Sequence, residues 1–190
     1  GQVSRGQLTL SIAAGIPVAR IAAALGADRP VVRAMPNTPA LIGLGVAGLF
    51  AGPGCHARHR RAAEWVLGAA GETVWIDDES LMDVVTAISG SGPAYYFALT
   101  EALREAGAAL GLPADVAAKL ALHTAHGAGA MLARAGLDAS ELRRRVTSPG
   151  GTTEAALATL TAAGFSDLIG QAVAAATRRG RELATTGAGP

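Results

Sequence analysis

Residues 146–153, with the sequence VTSPGGTT, combine residue types that could bind an anion. Glycines leave backbone N–H groups uncovered, and the N-terminus of the helix predicted to follow carries about half a positive charge with unpaired N–H donors. The threonine side chains add hydroxyl groups that can donate or accept. An ordinary Ser/Thr helix cap needs one such residue, whereas four stand here in a row: Gly150, Gly151, Thr152 and Thr153. The stretch therefore predicts a site for a carboxylate or a phosphate.

A second candidate site is the segment MPNTP at residues 35–39, which directly follows a predicted strand. In open α/β sheets, ligands bind at the carboxyl ends of the strands. Two prolines fix the backbone, and Asn37 and Thr38 offer short polar groups at a helix start. A capped turn without a ligand is the alternative. Ala13 and Ala14 end a neighbouring predicted strand, where small side chains either admit a cofactor ring or simply end the strand.

Three further patterns give weaker predictions. The G-x-G-x-x-G match at residues 43–48 runs into a strand-like segment, whereas dinucleotide binding needs these glycines to open a helix. His123 and His126 stand three apart on a predicted helix, but metal sites usually need three or four ligands, so no metal site is predicted. The segment at residues 89–94, SGSGPA, is expected to form a closely packed corner between two helices.

Composition excludes several classes of protein. The 190 residues carry a net charge of +1, which argues against a nucleic-acid surface. Half of the residues are hydrophobic and only 16% are charged, which excludes a disordered chain. No apolar run reaches the roughly 18 residues of a membrane span, and no signal-peptide pattern is visible. Cys55 is the one cysteine, so no disulfide can form within the chain, which fits a reducing compartment. Together these observations predict a cytoplasmic protein that binds neither membrane nor nucleic acid.

The elements that must position these residues change in type along the chain. Short apolar runs alternate with helical stretches in the first part, a pattern typical of an α/β layer structure. Strands are predicted near residues 8–12, 31–34, 46–50 and 73–76, with helices near 17–26 and 56–70. Pro17 is expected at the first position of the first helix and Gly26 at its end. From residue 79 onward the pattern predicts about six alanine- and leucine-rich helices and no strand. A domain boundary is therefore expected near residue 78.

Four stretches together resemble one family, pyrroline-5-carboxylate reductase, the last enzyme of proline biosynthesis. They occur in the family's order and spacing: SIAAG at 11–15, RAMPNTP at 33–39, SGSGPAY at 89–95 and the stretch at 146–153. The resemblance covers almost the whole chain. It implies an α/β Rossmann-type partial domain at residues 1–78, followed by an all-α substrate-binding and dimerisation domain at 79–190. It also implies a homodimer or a larger homo-oligomer formed through the helical domain.

The resemblance further implies reduction of 1-pyrroline-5-carboxylate, a small-molecule carboxylate, to L-proline with NADPH or NADH. The positions that match the nicotinamide and ribose site are Ala13, Ala14, Pro36 and Asn37. The positions that match the substrate loop are Ser148, Gly150, Gly151, Thr152 and Thr153. Thr153 is our choice for the catalytic hydroxyl that hydrogen-bonds the ring nitrogen. The matched loop holds no His, Asp or Glu, so we expect catalysis by positioning, with the cofactor supplying the hydride.

Two other interpretations stay open on sequence alone. A dehydrogenase of the β-hydroxyacid group would need a catalytic lysine on a helix, and the sole candidate, Lys119, lies in the wrong setting. A non-catalytic helical dimerisation module is the other alternative. Members of the reductase family begin with a strand and a glycine-rich turn, about 80 to 90 residues that precede everything in this sequence. We therefore expect the chain by itself to be impaired as a reductase.

Overall fold

The computed structural model describes residues 6–26 and 29–186, and its backbone divides into two compact units. One unit contains the described residues up to Pro93 and those from Gln171 onward, and the other spans Ala94–Gly170. The boundary predicted near residue 78 separates a cofactor-binding part from a substrate-binding part, which is a division by function, and it stays a prediction. Each unit is described by itself below.

The first unit is built on a four-stranded sheet flanked by helices. Its strands are β1 (Thr9–Ser11), β2 (Val31–Met35), β3 (Gly45–Ala51) and β4 (Gly71–Trp75). The helices between them are α1 (Val18–Leu25) and α2 (Ala57–Gly68), and a 3-10 helix covers Thr38–Ile42. Helix α1 begins one residue later than the sequence predicts, because Pro17 is its N-cap residue, and it ends just before Gly26, as expected from a glycine at a helix end.

The sheet is mixed rather than wholly parallel. Its order is β1-β2-β3-β4, with β1 parallel to β2 and β3 parallel to β4, while β2 and β3 are antiparallel. A helix, α1 or α2, makes each parallel crossover. The link between β2 and β3 is shorter than the dozen or so residues that a parallel crossover needs, so β3 turns back alongside β2.

The core of this unit lies on the two central strands. Val32 and Ala34 of β2 and Ala47 and Leu49 of β3 are buried together with Ala63 of α2. Burying a Val or Leu side chain contributes about 1.5–3 kcal/mol, so this cluster holds α2 against the sheet. The carboxyl end of β2, which carries the MPNTP segment, is thereby attached to the best-packed part of the unit.

Helices occupy the rest of the described chain, and no described residue beyond Trp75 lies in a strand. The helices are α3 (Met82–Val85), α4 (Gly92–Ala109), α5 (Ala114–Arg134), α6 (Ala139–Arg145), α7 (Thr152–Ala162) and α8 (Phe165–Thr186). No single helix among the described residues is long and apolar enough to cross a membrane. One pair of consecutive helices, Thr152–Ala162 and Phe165–Ala184, is together long and apolar enough for a span, but the pair bends by 52° at the break between them.

The segment SGSGPA differs in detail from the expected corner. A turn of π-helix spans Thr86–Gly90 and closes with a hydrogen bond from the Ser91 N–H to the Thr86 carbonyl, 2.8 Å. Helix α4 then begins at Gly92. A Cβ atom added to Gly90 would lie 2.8 Å from the Met35 Cε atom, so the glycine permits the close approach of this turn to the end of β2.

Candidate functional site

Two loops leave the same edge of the sheet. Strands β1 and β2 are parallel neighbours, with Ser11 aligned to Arg33, so the segments that follow them both lie at the carboxyl edge. The first of these segments holds Ala13, which is exposed, and Ala14, which is half-buried. The second holds Pro36 and Asn37. The structure therefore places all four sequence-predicted cofactor residues on adjacent loops of one sheet edge.

Gly15 explains the shape of the first loop. Its φ is +71°, and an added Cβ atom would lie 3.3 Å from the backbone nitrogen of Ala184 in α8. A side chain here would be strained by the backbone conformation and crowded by the helix. A glycine is therefore needed at position 15, because α8 of the same unit packs against the turn.

Asn37 pins the second loop to the next strand. Its side-chain oxygen Oδ1 accepts a hydrogen bond from the Val46 N–H at 2.9 Å, near the start of β3. Asn37 precedes the 3-10 helix but makes no side-chain capping bond to it. Asn37 therefore does not cap the turn with its side chain, as the alternative interpretation expected, and instead binds the backbone of β3. The Nδ2 group of Asn37 takes no part in this bond and carries two N–H donors.

Packing explains two of the three glycines in the G-x-G-x-x-G match. Its last four residues lie in β3, so the glycines do not open a helix. A Cβ atom on Gly45 would lie 2.8 Å from the Ala40 Cα atom, and one on Gly48 would lie 2.5 Å from a Val85 methyl carbon. These glycines allow close approach of the backbone to its neighbours and do not form a phosphate cradle.

The predicted anion-binding stretch forms a tight turn that opens α7. Gly151 is the N-cap residue, and Gly150 has a φ of +70°, which favours glycine. The Gly151 N–H donates to the Ser148 carbonyl at 3.0 Å. Ser148, Gly150 and Thr152 are exposed, whereas Thr153 is half-buried. The structure therefore brings all five predicted substrate residues together in one loop and helix start.

Not every backbone amide of this turn is available to a ligand. The Gly150 N–H donates to the Glu154 carboxylate oxygen Oε2 at 2.7 Å, and the Gly151 N–H is used within the turn. The first-turn amides of Thr152 and Thr153 lack intrahelical acceptors and are the ones suited to an anion. Sequence reasoning missed Glu154, although a Glu three residues after an N-cap is the capping-box spacing.

The remaining candidates lie apart on the surface of α5. His123 and His126 are both exposed. The described residues contain no group of three or more His, Cys, Asp or Glu that could hold a metal ion. The Lys119 side chain is 75% exposed and pairs with Asp115 one turn earlier, at 3.9 Å.

Comparisons with known proteins agree on one family. The model for pyrroline-5-carboxylate reductase dimerisation matches residues 79–183. A pyrroline-5-carboxylate reductase of Pseudomonas aeruginosa is 52% identical over 178 residues, which cover 94% of this chain and 65% of the relative. One of Haemophilus influenzae is 43% identical over 180 residues, covering 94% and 66%. The chain thus spans just under two thirds of the length of these curated relatives.

Solved structures show the same relationship. A pyrroline-5-carboxylate reductase from Coxiella burnetii superposes with a TM-score of 0.90 and 39% identity, covering 93% of this chain and 65% of that one. A pyrroline carboxylate reductase from Plasmodium falciparum, solved with NADP bound, superposes with a TM-score of 0.83 and 29% sequence identity. The match covers 94% of this chain and 70% of that one. The fold class expected from the sequence, a partial Rossmann-type part followed by a helical part, is confirmed.

Proposed function

Because the chain belongs to the pyrroline-5-carboxylate reductase family, we propose that it takes part in the NAD(P)H-dependent reduction of 1-pyrroline-5-carboxylate to L-proline, the last step of proline biosynthesis. The observation that carries this proposal is the turn at the start of α7. There, two first-turn amides and two threonine hydroxyls are grouped in an accessible loop whose shape depends on glycine. Such a helix start suits the carboxylate of the substrate.

In this proposal, the loop fixes the substrate by its carboxylate and thereby orients its ring. The substrate-binding residues are Ser148, Gly150, Gly151, Thr152 and Thr153. The amides of Thr152 and Thr153 bind the carboxylate. The hydrogen bond from the Gly150 N–H to the Glu154 carboxylate stabilises the conformation of the turn. The Thr153 hydroxyl hydrogen-bonds the ring nitrogen. The contribution of the protein is then mainly to position two reactants, which can supply several kcal/mol of rate enhancement.

The cofactor, NADPH or NADH, supplies the hydride when it is bound. Its nicotinamide and ribose half fits the edge formed by Ala13, Ala14, Pro36 and Asn37. The alanines present no bulky group there, and the Nδ2 group of Asn37 can donate a hydrogen bond, because only its oxygen is engaged by Val46. The G-x-G-x-x-G match is not expected to form a pyrophosphate cradle, because Gly45 and Gly48 lie in β3 and are close to neighbouring atoms.

We also propose that the chain assembles as a homodimer or a larger homo-oligomer through its helical part, acts in the cytoplasm, and binds neither membrane nor nucleic acid. The family model that matches residues 79–183 is itself a dimerisation model. Within Ala94–Gly170, many large apolar side chains are exposed, among them Phe97, Leu110 and Leu120. A second copy of the chain would cover such side chains and remove them from water.

A cofactor-oxidation assay tests the proposed activity. Pyrroline-5-carboxylate and NADPH or NADH are supplied to this chain and to a joined protein, in which the part of the Pseudomonas aeruginosa relative that precedes its matched region is placed before the chain. We expect the joined protein to oxidise the cofactor and form proline, and the chain alone to be much slower. Failure of both proteins to form proline would contradict the proposed function and favour a non-catalytic dimerisation module.

A further inference from the structure

A buried ion-pair cluster lies behind the two loops of the first unit. Arg33 of β2 is only 5% exposed. Its guanidinium contacts two carboxylates, with 3.3 Å from Nη1 to Glu79 Oε1 and 3.7 Å from Nη2 to Asp83 Oδ1. We call Arg33, Glu79 and Asp83 the Arg33 cluster. A charge this deeply buried needs such partners, because desolvation of an unpaired guanidinium is costly.

Glu79 also holds the start of α1. The same oxygen, Oε1, accepts a hydrogen bond from the Val18 N–H at 2.7 Å, across 61 residues of sequence. Val18 is the first residue of α1, and the N-cap residue Pro17 makes no side-chain capping bond. Glu79 therefore supplies, from a distance in sequence, an acceptor for one of the first-turn N–H groups that have no partner within the helix. A negative charge at this helix end is also favoured by the helix dipole.

The Arg33 cluster thus connects the two loops of the sheet edge. The turn between β1 and α1, which carries Ala13 and Ala14, ends at the residue that Glu79 binds. Arg33 lies on β2 just before Pro36 and Asn37. Buried ion pairs add little net stability compared with apolar replacements, but they can restrict a structure to one geometry. The helix start that follows the first loop and the strand that leads into the second are therefore held to the same carboxylate.

We propose that Arg33 and Glu79 are positioning residues for the cofactor. They set the separation of the Ala13–Ala14 turn and the Pro36–Asn37 segment, so that the nicotinamide and ribose fit between them. This inference rests on the proposed function. A displacement of about 1 Å in a positioning contact can lower activity by about a hundredfold, so the cluster affects the reaction without touching the reactants.

The kinetic test compares variants in the joined protein. Glu79→Ala removes the acceptor for both Arg33 and Val18, and we expect the KM for NADPH to rise about tenfold or more. Glu79→Gln keeps an oxygen for Val18 but loses the negative charge that faces Arg33, so we expect a smaller rise in the KM for NADPH, about threefold. The matched control is Glu64→Ala, which removes the acceptor of the Trp75 indole N–H, 2.5 Å away, elsewhere in the same unit. This control should lower Tm and leave the KM for NADPH unchanged.

A second readout needs neither cofactor nor activity. Hydrogen–deuterium exchange of the free chain should be faster in Glu79→Ala for peptides covering residues 12–20 and 34–38, and unchanged for residues 57–70. The inference is overturned if an active joined protein keeps its KM for NADPH in Glu79→Ala, or if exchange in both loop peptides matches the unsubstituted chain. If Glu79→Ala does not fold, Glu79→Gln with an unchanged KM and unchanged exchange overturns it equally. An inactive unsubstituted joined protein contradicts the proposed function instead.

Discussion

Thr153 carries the most specific chemical role proposed for a single residue. It is the second residue of α7 and is half-buried. We expect Thr153→Ala in the joined protein to lower kcat by about tenfold or more with a smaller change in KM for the substrate, because the hydroxyl acts on the reacting ring. Thr153→Ser should retain most of the activity.

The control for this prediction is another threonine of the same helix. Thr159 is exposed, and its hydroxyl donates to the Ala155 carbonyl at 3.1 Å, away from the turn. Thr159→Ala should leave steady-state kinetics of proline formation unchanged. Equal kinetics for Thr153→Ala and Thr159→Ala would contradict the role of Thr153.

His59 is a residue whose surroundings predict a dependence of stability on pH. It is buried, and its Nδ1 atom accepts the His56 N–H at 3.0 Å, which completes the N-terminal cap of α2. This bond requires Nδ1 to carry no proton and therefore an uncharged ring. Burial lowers the pKa of His59 below its ordinary value, and the charges of Arg58 and His56 lower this pKa further. A hydrogen bond with the Gly6 backbone acts in the opposite direction and is the smallest of these effects on the pKa.

The unfolded chain therefore binds a proton at a pH where folded His59 does not. The stabilisation is fully present above the unfolded pKa, near pH 6.5, and is lost as the pH falls through the lowered folded pKa. We expect the free energy of unfolding, measured in urea, to fall between about pH 7 and pH 5. His59→Gln keeps an acceptor at the capping-box position and should flatten this dependence. An equal slope in both proteins would exclude His59 as its source.

At the scale of elements, two glycines flank the connection between α2 and β4, and only one of them is required by the structure. Gly71 begins β4 with a φ of +146°, and an added Cβ atom would overlap the Gly45 carbonyl oxygen of β3. Gly68 ends α2, and an added Cβ atom there meets nothing within 4 Å. The first glycine is needed for strand pairing, whereas the second only lowers helix propensity.

These two positions give a matched pair of substitutions. Gly71→Ala should lower the free energy of unfolding by about 2 kcal/mol or more, because both the backbone conformation and the contact with β3 are incompatible with a side chain. Gly68→Ala should leave it unchanged or raise it by up to about 1 kcal/mol. Urea unfolding followed by circular dichroism measures both. Similar destabilisation by the two would show that strand pairing is not the cause.

At the scale of the whole molecule, the exposed apolar side chains of the helical part predict self-association. Leu120, 55% exposed, and Met131, 52% exposed, are both on α5 at spacings that share a face with Val116. We expect light scattering to report a dimer or a larger assembly, and Leu120→Glu to shift it toward the monomer. The control, Lys119→Glu, introduces the same residue at an adjacent, paired surface position and should leave the mass unchanged. A chain that is monomeric without substitution would contradict the proposed assembly.

The sequence by itself determined the features that depend on neighbouring residues. Pro17 and Gly26 marked the ends of α1, and the apolar run at 31–34 marked β2. The glycines and threonines at 150–153 marked the turn that opens α7. These predictions succeeded because capping and turn formation are decided by dihedral preferences and hydrogen bonds within a few residues.

Only the tertiary structure decided the features that join distant residues. It made β3 antiparallel to β2, engaged Asn37 with Val46, and packed Gly45 and Gly48 of a nucleotide-like motif against their neighbours. It also placed Glu79 against Arg33 and the start of α1, 61 residues away from Val18. No local pattern encodes such contacts, because a buried charge or amide takes whichever partner the packing of the whole chain brings within hydrogen-bond distance.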